Sequence, residues 1–247
     1  MINFICGRSG SGKDTIAKEL LEKYPDLQPI VTYTTRPMRP GEIDGKEYHF
    51  CDTENLNWYR DTNNIVEERI YHTAQGTWFY FTVNDGQFDL EHKDYLVTGS
   101  LEMYQSYMHY FGAKNMNLLY LEVPEKQLLL RTIQRESLRT NPNYAEVCRR
   151  FYADSKDFSE ERLQTLGISK ENRIQNTGVL YETMQQISVK MGKINAPIIH
   201  MRDYELKQAQ EKTKEILSEM EIEIRANMLY ALEIMKKELQ TRGKIIN

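Results

Sequence analysis

The chain has few cysteines, no long apolar run and no leader-like segment at its start. Its three cysteines, Cys6, Cys51 and Cys148, are scattered over 247 residues without paired spacing. This argues against a disulfide framework or a zinc site and fits reduced thiols. No apolar stretch approaches the roughly 20 residues that a membrane helix needs, and no basic segment followed by an apolar one opens the sequence. We therefore expect a cytoplasmic protein without membrane contacts.

The chain also lacks a strong excess of charge of either sign. Its 32 basic and 36 acidic residues give a formal net charge of −4, so no overall field favours nucleic acid or an anionic surface. A length of 247 residues suits one α/β domain with insertions and an extension. Binding of small molecules is therefore the better expectation than binding of a polymer.

A glycine-rich segment follows the apolar run of residues 2–6. It reads Gly7, Arg8, Ser9, Gly10, Ser11, Gly12 and Lys13. Such a loop between a strand and a helix points backbone N–H groups at phosphate, and its lysine adds a positive charge for the β- and γ-phosphates of ATP. The alternative is a glycine-rich turn without a ligand. Helical spacing from Asp14 to Tyr24, ended by Pro25, supplies the helix.

The position after the lysine departs from the usual pattern of this loop. There the pattern has Ser or Thr as a ligand of Mg²⁺, whereas this chain has Asp14 followed by Thr15. Either residue is a candidate metal contact, and the metal ligand is left open between them.

A second motif begins at Thr32 and runs through Phe50. It contains Thr34-Thr35-Arg36, then Arg39, Gly41-Glu42 and Tyr48-His49-Phe50. Two arginines three residues apart, beside prolines that restrict the backbone, suit the oxygens of a phosphate monoester. An arginine-bearing surface loop is the alternative. The segment resembles the substrate-phosphate motif of the guanylate kinase family, and with the first motif the resemblance covers the first fifty residues well.

The resemblance implies roles for several residues. Arg36 and Arg39 would clamp the monophosphate of the acceptor nucleotide, with Tyr48 and Tyr80 adding hydroxyl hydrogen bonds. The base would be contacted by Thr32, by Glu67 as acceptor for the guanine N–H groups, and by Thr82. Glu68 beside Glu67 is a neighbour that could be confused with it, and either can be a solvated strand charge.

Two departures from the family pattern concern base recognition. Phe81 stands where the family has glycine between Tyr80 and Thr82. The next core strand, residues 95–100, lacks the family's aspartates and offers only the hydroxyls of Thr98 and Ser100. We keep Ser100 as a substrate-binding candidate, and with hydroxyls alone at these positions guanine specificity could be relaxed.

Arginines gather between residues 131 and 150, around a polar interruption at residues 140–143. In nucleoside monophosphate kinases the corresponding region is a lid whose arginines neutralise the transferring phosphoryl group. The eleven-residue spacing of Arg139 and Arg150 matches the family's lid pair, and we predict both as catalytic together with Lys13. Arg135 and Arg149 are close enough to exchange roles with them, and surface salt bridges are the alternative.

The end of the family-like region contains Asn176, which the resemblance places near the adenine or ribose of ATP; a turn residue before Gly178 is an equal explanation. Beyond it, residues 204–242 carry an apolar stripe at steps of three and four. The stripe predicts a helix that either packs on its own core or forms a homodimer.

We therefore predict a three-layer α/β P-loop kinase with a parallel sheet. Residues 1–191 would form the guanylate-kinase-like domain, with its core at 1–31 and 89–191, a small mixed acceptor-binding insertion at 32–88 and a lid at about 135–160. Residues 192–247 would form a helical extension. The expected activity is ATP- and Mg²⁺-dependent phosphorylation of GMP or dGMP. Phosphorylation of another nucleotide or of a ribose phosphate, or a non-catalytic interaction module, are the alternatives.

Overall fold

A five-stranded parallel sheet forms the centre of the computed structural model, which describes residues 1–73 and 76–193. The strand order is β2-β7-β1-β8-β9. A second sheet of four strands has the order β4-β3-β6-β5. The strands are β1 Ile2–Cys6, β2 Leu27–Pro29, β3 Tyr33–Thr34, β4 His49–Phe50, β5 Ile65–Thr73, β6 Gly76–Val83, β7 Asp94–Gly99, β8 Met116–Glu122 and β9 Ile174–Gln175.

Helices cover both faces of the parallel sheet. Phe4 on β1 is buried in one cluster with Tyr104 and Tyr107, while its neighbour Ile5 is buried in another with Ile16. Successive strand residues point to opposite faces, so the two clusters lie on the two sides of the sheet and make three layers. The helices are α1 Lys13–Lys23, α2 Thr53–Asp61, α3 Leu101–Phe111, α4 Glu125–Ser137, α5 Tyr144–Asp157, α6 Glu160–Thr165 and α7 Leu180–Lys190.

The register of the central strands brings the phosphate loop to one edge of the sheet. Cys6, the last residue of β1, is level with Gly99 of β7 and Tyr120 of β8. The loop after β1 therefore leaves from the carboxyl edge, where ligands bind in open α/β sheets. The predicted three-layer fold with a parallel sheet is confirmed.

The second sheet is mixed, as expected for the insertion. β3 runs parallel to β4, whereas β6 is antiparallel to both β3 and β5. Leu56 of α2 packs against one face of this sheet, where it forms a buried cluster with Phe81 and Val83. Phe81, which replaces the family's glycine, is therefore a core residue on the face opposite Tyr80 and Thr82.

The helical extension predicted for residues 192–247, and the homodimer proposed through it, lie outside the described residues apart from Gly192 and Lys193. Within the described part of the chain, none of the helices is long and apolar enough to cross a membrane.

Candidate active site

The loop between β1 and α1 has the backbone of a phosphate cradle. Gly12 has φ +89°, and a Cβ there would lie 2.9 Å from Nδ2 of Asn176. Gly10 has φ +82°, and its Cβ would lie 2.9 Å from Cγ2 of Thr132. Both positions need glycine, because any other residue would be strained and would also clash. α1 starts directly after Gly12, so its positive end faces the loop.

Lys13 bends back over this cradle. Its Nζ donates to the carbonyl oxygens of Gly7 at 2.6 Å and Arg8 at 3.1 Å. Burial lowers the pKa of the Lys13 ammonium from its ordinary value, because desolvation disfavours the charged form. The ammonium is thus held inside the loop, where an anionic ligand would compensate the lost hydration.

Two polar side chains hold the loop from outside. Asn176, which is buried, donates from Nδ2 to the Ser11 carbonyl at 2.8 Å and accepts from the Thr183 hydroxyl at 3.3 Å. Asp154 of α5 accepts the Ser9 amide at 2.5 Å. These contacts make Asn176 a support of the loop, whether or not it also reaches a nucleotide.

Arg8, predicted as an ATP ligand, is turned toward the protein. Its Nη1 donates to Glu125 at 2.7 Å, and its guanidinium carbon lies 4.7 Å from the ring centre of Phe151. Its Nε and Nη2 are buried without a partner among the described residues. Arg8 therefore ties the loop to α4 and α5 rather than pointing its charge into the cradle.

A cleft of about 580 Å³ opens beside the cradle. Its walls bring together the loop, the start of α1, arginines from α4 and α5, and the segment after β9. The lining residues are Ser9, Gly10, Gly12, Lys13, Asp14, Thr15, Ile16, Arg131, Arg135, Arg150, Asn176, Gly178 and Leu180. This volume and this polarity fit a nucleoside triphosphate.

The donor set fits Mg²⁺ only with help from phosphate. Among residues 1–73 and 76–193 no group of three or more His, Cys, Asp and Glu side chains is placed to hold a metal. Asp14 and Thr15 are both exposed and line the cleft. They are hard oxygen donors, which suit Mg²⁺ held largely by phosphate and water.

The second sheet carries a second polar site, on the face away from α2. Alternation along β5 and β6 puts three cross-strand pairs on this face: Glu67 with Thr82, Arg69 with Tyr80, and Tyr71 with Trp78. We call the pocket of about 320 Å³ that is lined by Tyr48, Arg69, Tyr71, Trp78 and Tyr80 the aromatic cup.

Glu67 is a buried carboxylate at one end of this face, with its side chain 2% exposed. Its Oε1 accepts from the Thr82 hydroxyl at 3.0 Å and from Nη2 of Arg69 at 3.2 Å, and its Oε2 accepts from Nε of Arg69 at 2.9 Å. Burial nevertheless raises the pKa of the Glu67 carboxyl above its usual range. Thr82 is fully buried and also accepts from the Tyr107 hydroxyl at 2.9 Å, so it positions Glu67.

Arg36 lies beside the cup, almost fully buried. Its Nη2 donates to both carboxylate oxygens of Glu42, at 2.7 and 3.0 Å, and its Nη1 donates to the Pro37 carbonyl at 2.8 Å. Its Nε has no partner among the described residues. The hydrogen bonds that Arg36 donates to Glu42, opposed by desolvation, raise the pKa of Arg36.

Three other predicted acceptor residues have different surroundings. Arg39 is exposed, and its backbone N–H donates to Glu42 at 2.7 Å. The ring of Tyr48 lies 5.6 Å from the Arg36 guanidinium carbon and 5.5 Å from the ring of Tyr80. Both tyrosines line the cup, so Arg36, Tyr48 and Tyr80 are brought together, whereas Arg39 does not line the cup.

Thr32 and Ser100 make fewer contacts with this site. The Thr32 carbonyl accepts the His49 amide at 2.9 Å, which ties it to β4. Ser100 caps α3, because its hydroxyl accepts the Met103 amide at 3.2 Å. Neither side chain lines the aromatic cup.

The arginines of α4, of α5 and of the loop between them divide into two groups. Arg131 and Arg135, one helical turn apart, line the cleft together with Arg150. Arg139 does not; it is 61% exposed, pairs with Glu136 at 3.4 Å and borders a smaller cavity of about 120 Å³ that Arg135 and Arg150 share. Arg149 pairs with Glu146 at 2.7 Å and lines neither cavity.

Two charged residues of the pocket walls, Arg69 and Arg131, were given no site role from the sequence. Arg69 stands two positions from Glu67, so strand alternation was the signal that places them on one face. Arg131 stands four positions from Arg135, so helical spacing was the signal there. In each pair only one member, Glu67 or Arg135, was named as a candidate from the sequence.

Comparison with known proteins separates the first third of the chain from the rest. The family model for guanylate kinase matches residues 3–79. The amino-terminal third of the chain is therefore similar to the guanylate kinase family. A guanylate kinase from Gloeobacter violaceus is 42% identical over 67 residues, which cover 27% of this chain and 33% of that protein. One from Frankia casuarinae is 40% identical over 70 residues, covering 28% and 38%.

These matches span only about a third of the length of the curated relatives. The crystal structure of a guanylate kinase from Anaplasma phagocytophilum covers 83% of this chain and 92% of its own, with a TM-score of 0.53 and 20% sequence identity. At that identity the likeness shows the fold alone. The guanylate kinase match includes the phosphate loop, Arg36, Tyr48 and Glu67, and it ends before Tyr80 and the lid arginines.

Proposed function

We propose that the protein transfers the γ-phosphoryl group of ATP to GMP or dGMP, giving ADP and the diphosphate. The observation that carries the proposal is the buried carboxylate of Glu67 beside an arginine- and tyrosine-lined cup, in a chain that also has a lysine-bearing phosphate loop. A loop alone supports triphosphate binding; a second anion site next to a carboxylate supports a phosphorylated base with N–H donors as acceptor.

The donor would bind in the 580 Å³ cleft. α1 begins at Lys13 on the wall of this cleft, and the positive end of a helix suits the β- and γ-phosphates. Lys13 would leave the Gly7 and Arg8 carbonyls to contact them. Asp14 or Thr15 would hold Mg²⁺ with the phosphates, and the ion would supply neutralisation of their charge when bound.

The acceptor would bind across the second sheet. Arg36 and Arg39 would contact its phosphate with the hydroxyls of Tyr48 and Tyr80. Glu67 would accept from the guanine N–H groups, because both oxygens of an ionised carboxylate accept and neither donates. Adenine has an acceptor where guanine has N1–H, so the same carboxylate would repel it. No general base is needed, because the acceptor phosphate is already ionised near neutral pH.

Catalysis would rest on alignment and charge. Arg135 and Arg150 line the cleft and would neutralise the phosphoryl group in transfer, with Arg139 reaching it only if the lid of residues 135–160 moves. Closing of that lid would also exclude water, which would otherwise accept the phosphoryl group. We also propose residues 32–88 as the acceptor-binding unit, because the aromatic cup and Glu67 lie within this range.

The test is ADP release by the full chain with ATP and Mg²⁺, against GMP, dGMP, AMP, CMP, UMP and dTMP separately. We expect turnover with GMP and dGMP to exceed that with the other four by about 10²-fold or more in kcat/KM, because a site built for hydrogen bonds rejects ligands that lack them. Turnover with none of the six would end the kinase proposal. Faster turnover with AMP or CMP would leave phosphoryl transfer standing and remove the role of Glu67.

A further inference from the structure

Arg69 already donates hydrogen bonds to the carboxylate of Glu67, the group that the proposed function assigns to guanine. A carboxylate offers about four lone-pair positions, two on each oxygen. On Glu67, Oε1 accepts from Thr82 and Arg69, and Oε2 accepts from Arg69. Only one position on Oε2 is left, whereas the two N–H groups at the guanine edge need two acceptors. At least one of the present bonds must therefore break when guanine binds.

Of the two donors, Arg69 is the one that can leave. The Thr82 hydroxyl is fully buried and fixed on its other side by the hydroxyl of Tyr107, which lies 2.9 Å away. The Arg69 side chain is 27% exposed and lines the aromatic cup. Release of Thr82 would leave a buried hydroxyl without an acceptor, while release of Arg69 turns a partly exposed guanidinium toward the cup.

The destination of Arg69 is set by its neighbours. It lies directly across the strand pair from Tyr80 and shares the cup with Tyr48, the two hydroxyls that we assign to the acceptor phosphate. The positive charge near these hydroxyls is otherwise weak, because Arg36 is paired with both oxygens of Glu42. A phosphate dianion in the cup therefore meets the neutralised Arg36 and the exposed Arg39, which does not line the cup. Arg69 is the cation of the cup lining and can provide a further charge.

We propose that Arg69 is a further acceptor-binding residue, which exchanges the Glu67 carboxylate for the acceptor phosphate. The inference rests on the proposed function. Binding of the phosphate then draws away the cation that blocks Glu67, and the freed carboxylate accepts from guanine. The phosphate and the base are thus recognised together, and a guanine nucleoside without its phosphate is a poor ligand because Arg69 stays on Glu67.

The test compares binding of GMP and guanosine to the full chain by isothermal titration calorimetry, with guanosine measured through its competition with GMP. The variants are Arg69→Gln, which keeps a hydrogen-bond donor for Glu67 but loses the charge, and Arg69→Ala. Arg60→Gln is the matched control. Arg60 of α2 donates two hydrogen bonds to Glu68, which lies on β5 next to Arg69, and Arg60 does not line the cup. Circular dichroism checks that each variant is folded.

We expect Arg69→Gln to weaken GMP about 10- to 100-fold, the loss typical of a hydrogen-bonded charge contact, while guanosine changes less than about threefold or binds better. Arg60→Gln should leave both ligands unchanged. Should Arg69→Ala be unfolded, Arg69→Gln alone carries the comparison.

Four results would overturn the inference. Equal losses for GMP and guanosine would assign Arg69 to the base or to the fold. Tighter GMP binding in Arg69→Gln would show that Arg69 only obstructs Glu67. If the wild type phosphorylates GMP and Arg69→Gln binds GMP as tightly as the wild type does, Arg69 is removed from the site while the proposed function stands. A wild type that neither binds nor phosphorylates GMP would end both proposals.

Discussion

Lys13 and Glu67 are opposite charges in surroundings that disfavour charge. Burial lowers the pKa of Lys13 and raises the pKa of Glu67, and each is held by groups of the protein in place of a ligand. Perturbed groups in a cleft are candidates for function, because a site built only for stability avoids buried charge. The two residues mark the two ends of the proposed reaction, the donor phosphates and the acceptor base.

We predict that Lys13→Met lowers kcat/KM by about 10²- to 10³-fold, the loss typical of one electrostatic contact to a developing charge. Lys18→Met is the matched control, because Lys18 lies on α1 and only forms an exposed pair with Glu22 at 3.8 Å. Steady-state kinetics with GMP as acceptor measure the loss. Equal activity of the two variants would exclude Lys13 from catalysis.

The same substitution should not destabilise the protein. Because the pKa of Lys13 is lowered in the folded state, the unfolded chain binds more protons between that value and the ordinary lysine value. Stability of the wild type therefore rises with pH across this window, and Lys13→Met removes the rise. Urea unfolding at several pH values tests this, and a loss of stability in Lys13→Met near neutral pH would contradict it.

Glu67 gives a pH dependence of opposite origin. Guanine recognition needs the ionised carboxylate, and burial raises the pKa of Glu67 above the ordinary range. We expect the KM for GMP to rise as the pH falls through this value, at a higher pH than an ordinary glutamate, near 4.3, would produce.

The variant Glu67→Gln should remove that pH dependence and raise the KM for GMP by about 10- to 100-fold, because one acceptor becomes a donor. Glu68→Gln is the control, since Glu68 pairs with Arg60 outside the cup. A KM for GMP that is unchanged in Glu67→Gln would contradict the role of Glu67.

Among the elements, α4 and α5 decide which arginines meet the donor. α4 carries Arg131 and Arg135 on the side of the cleft, and α5 adds Arg150, whose Nε donates to Glu146 at 2.7 Å. The two arginines on Glu146 lower the pKa of its carboxyl to about 2. The helices therefore present a group of cations to the cleft, with one carboxylate between α5 arginines.

We predict that Arg135→Ala lowers kcat by about 10²-fold, whereas Arg149→Ala, at an exposed pair with Glu146, changes kcat less than about twofold. Arg139→Ala separates the two lid assignments that the sequence left open. A loss in Arg139→Ala equal to that in Arg135→Ala would show that the lid closes over the cleft. A loss in Arg139→Ala alone would contradict the assignment made from the cleft.

The helices and loops also show which features of the structure sequence patterns can predict. The helix predicted from Asp14 to Tyr24 is Lys13–Lys23, because apolar spacing and proline mark such boundaries well. Contacts that join distant segments left no such mark. The Asn176 amide on the Ser11 carbonyl and the Asp154 carboxylate on the Ser9 amide depend on tertiary packing.

For the whole molecule, the three-layer fold was predicted from the phosphate loop between a strand and a helix and from the resemblance of the first fifty residues to the guanylate kinase family. A strand, a phosphate loop and a helix in this order are typical of a parallel sheet with helices on its faces. The balance of charge within the cup was not predictable in this way. Glu42 on Arg36 and Arg69 on Glu67 are pairings chosen by side-chain geometry, which residue spacing alone does not fix.

The central claim is that one chain joins a donor site and a guanine-nucleotide acceptor site in a single transfer. Phosphorus NMR of the full chain with ATP, Mg²⁺ and GMP measures it directly. The account predicts ADP and GDP appearing together in equal amounts, with no ADP formed when GMP is left out. ADP released with inorganic phosphate instead of GDP, or no change in the spectrum, would contradict it.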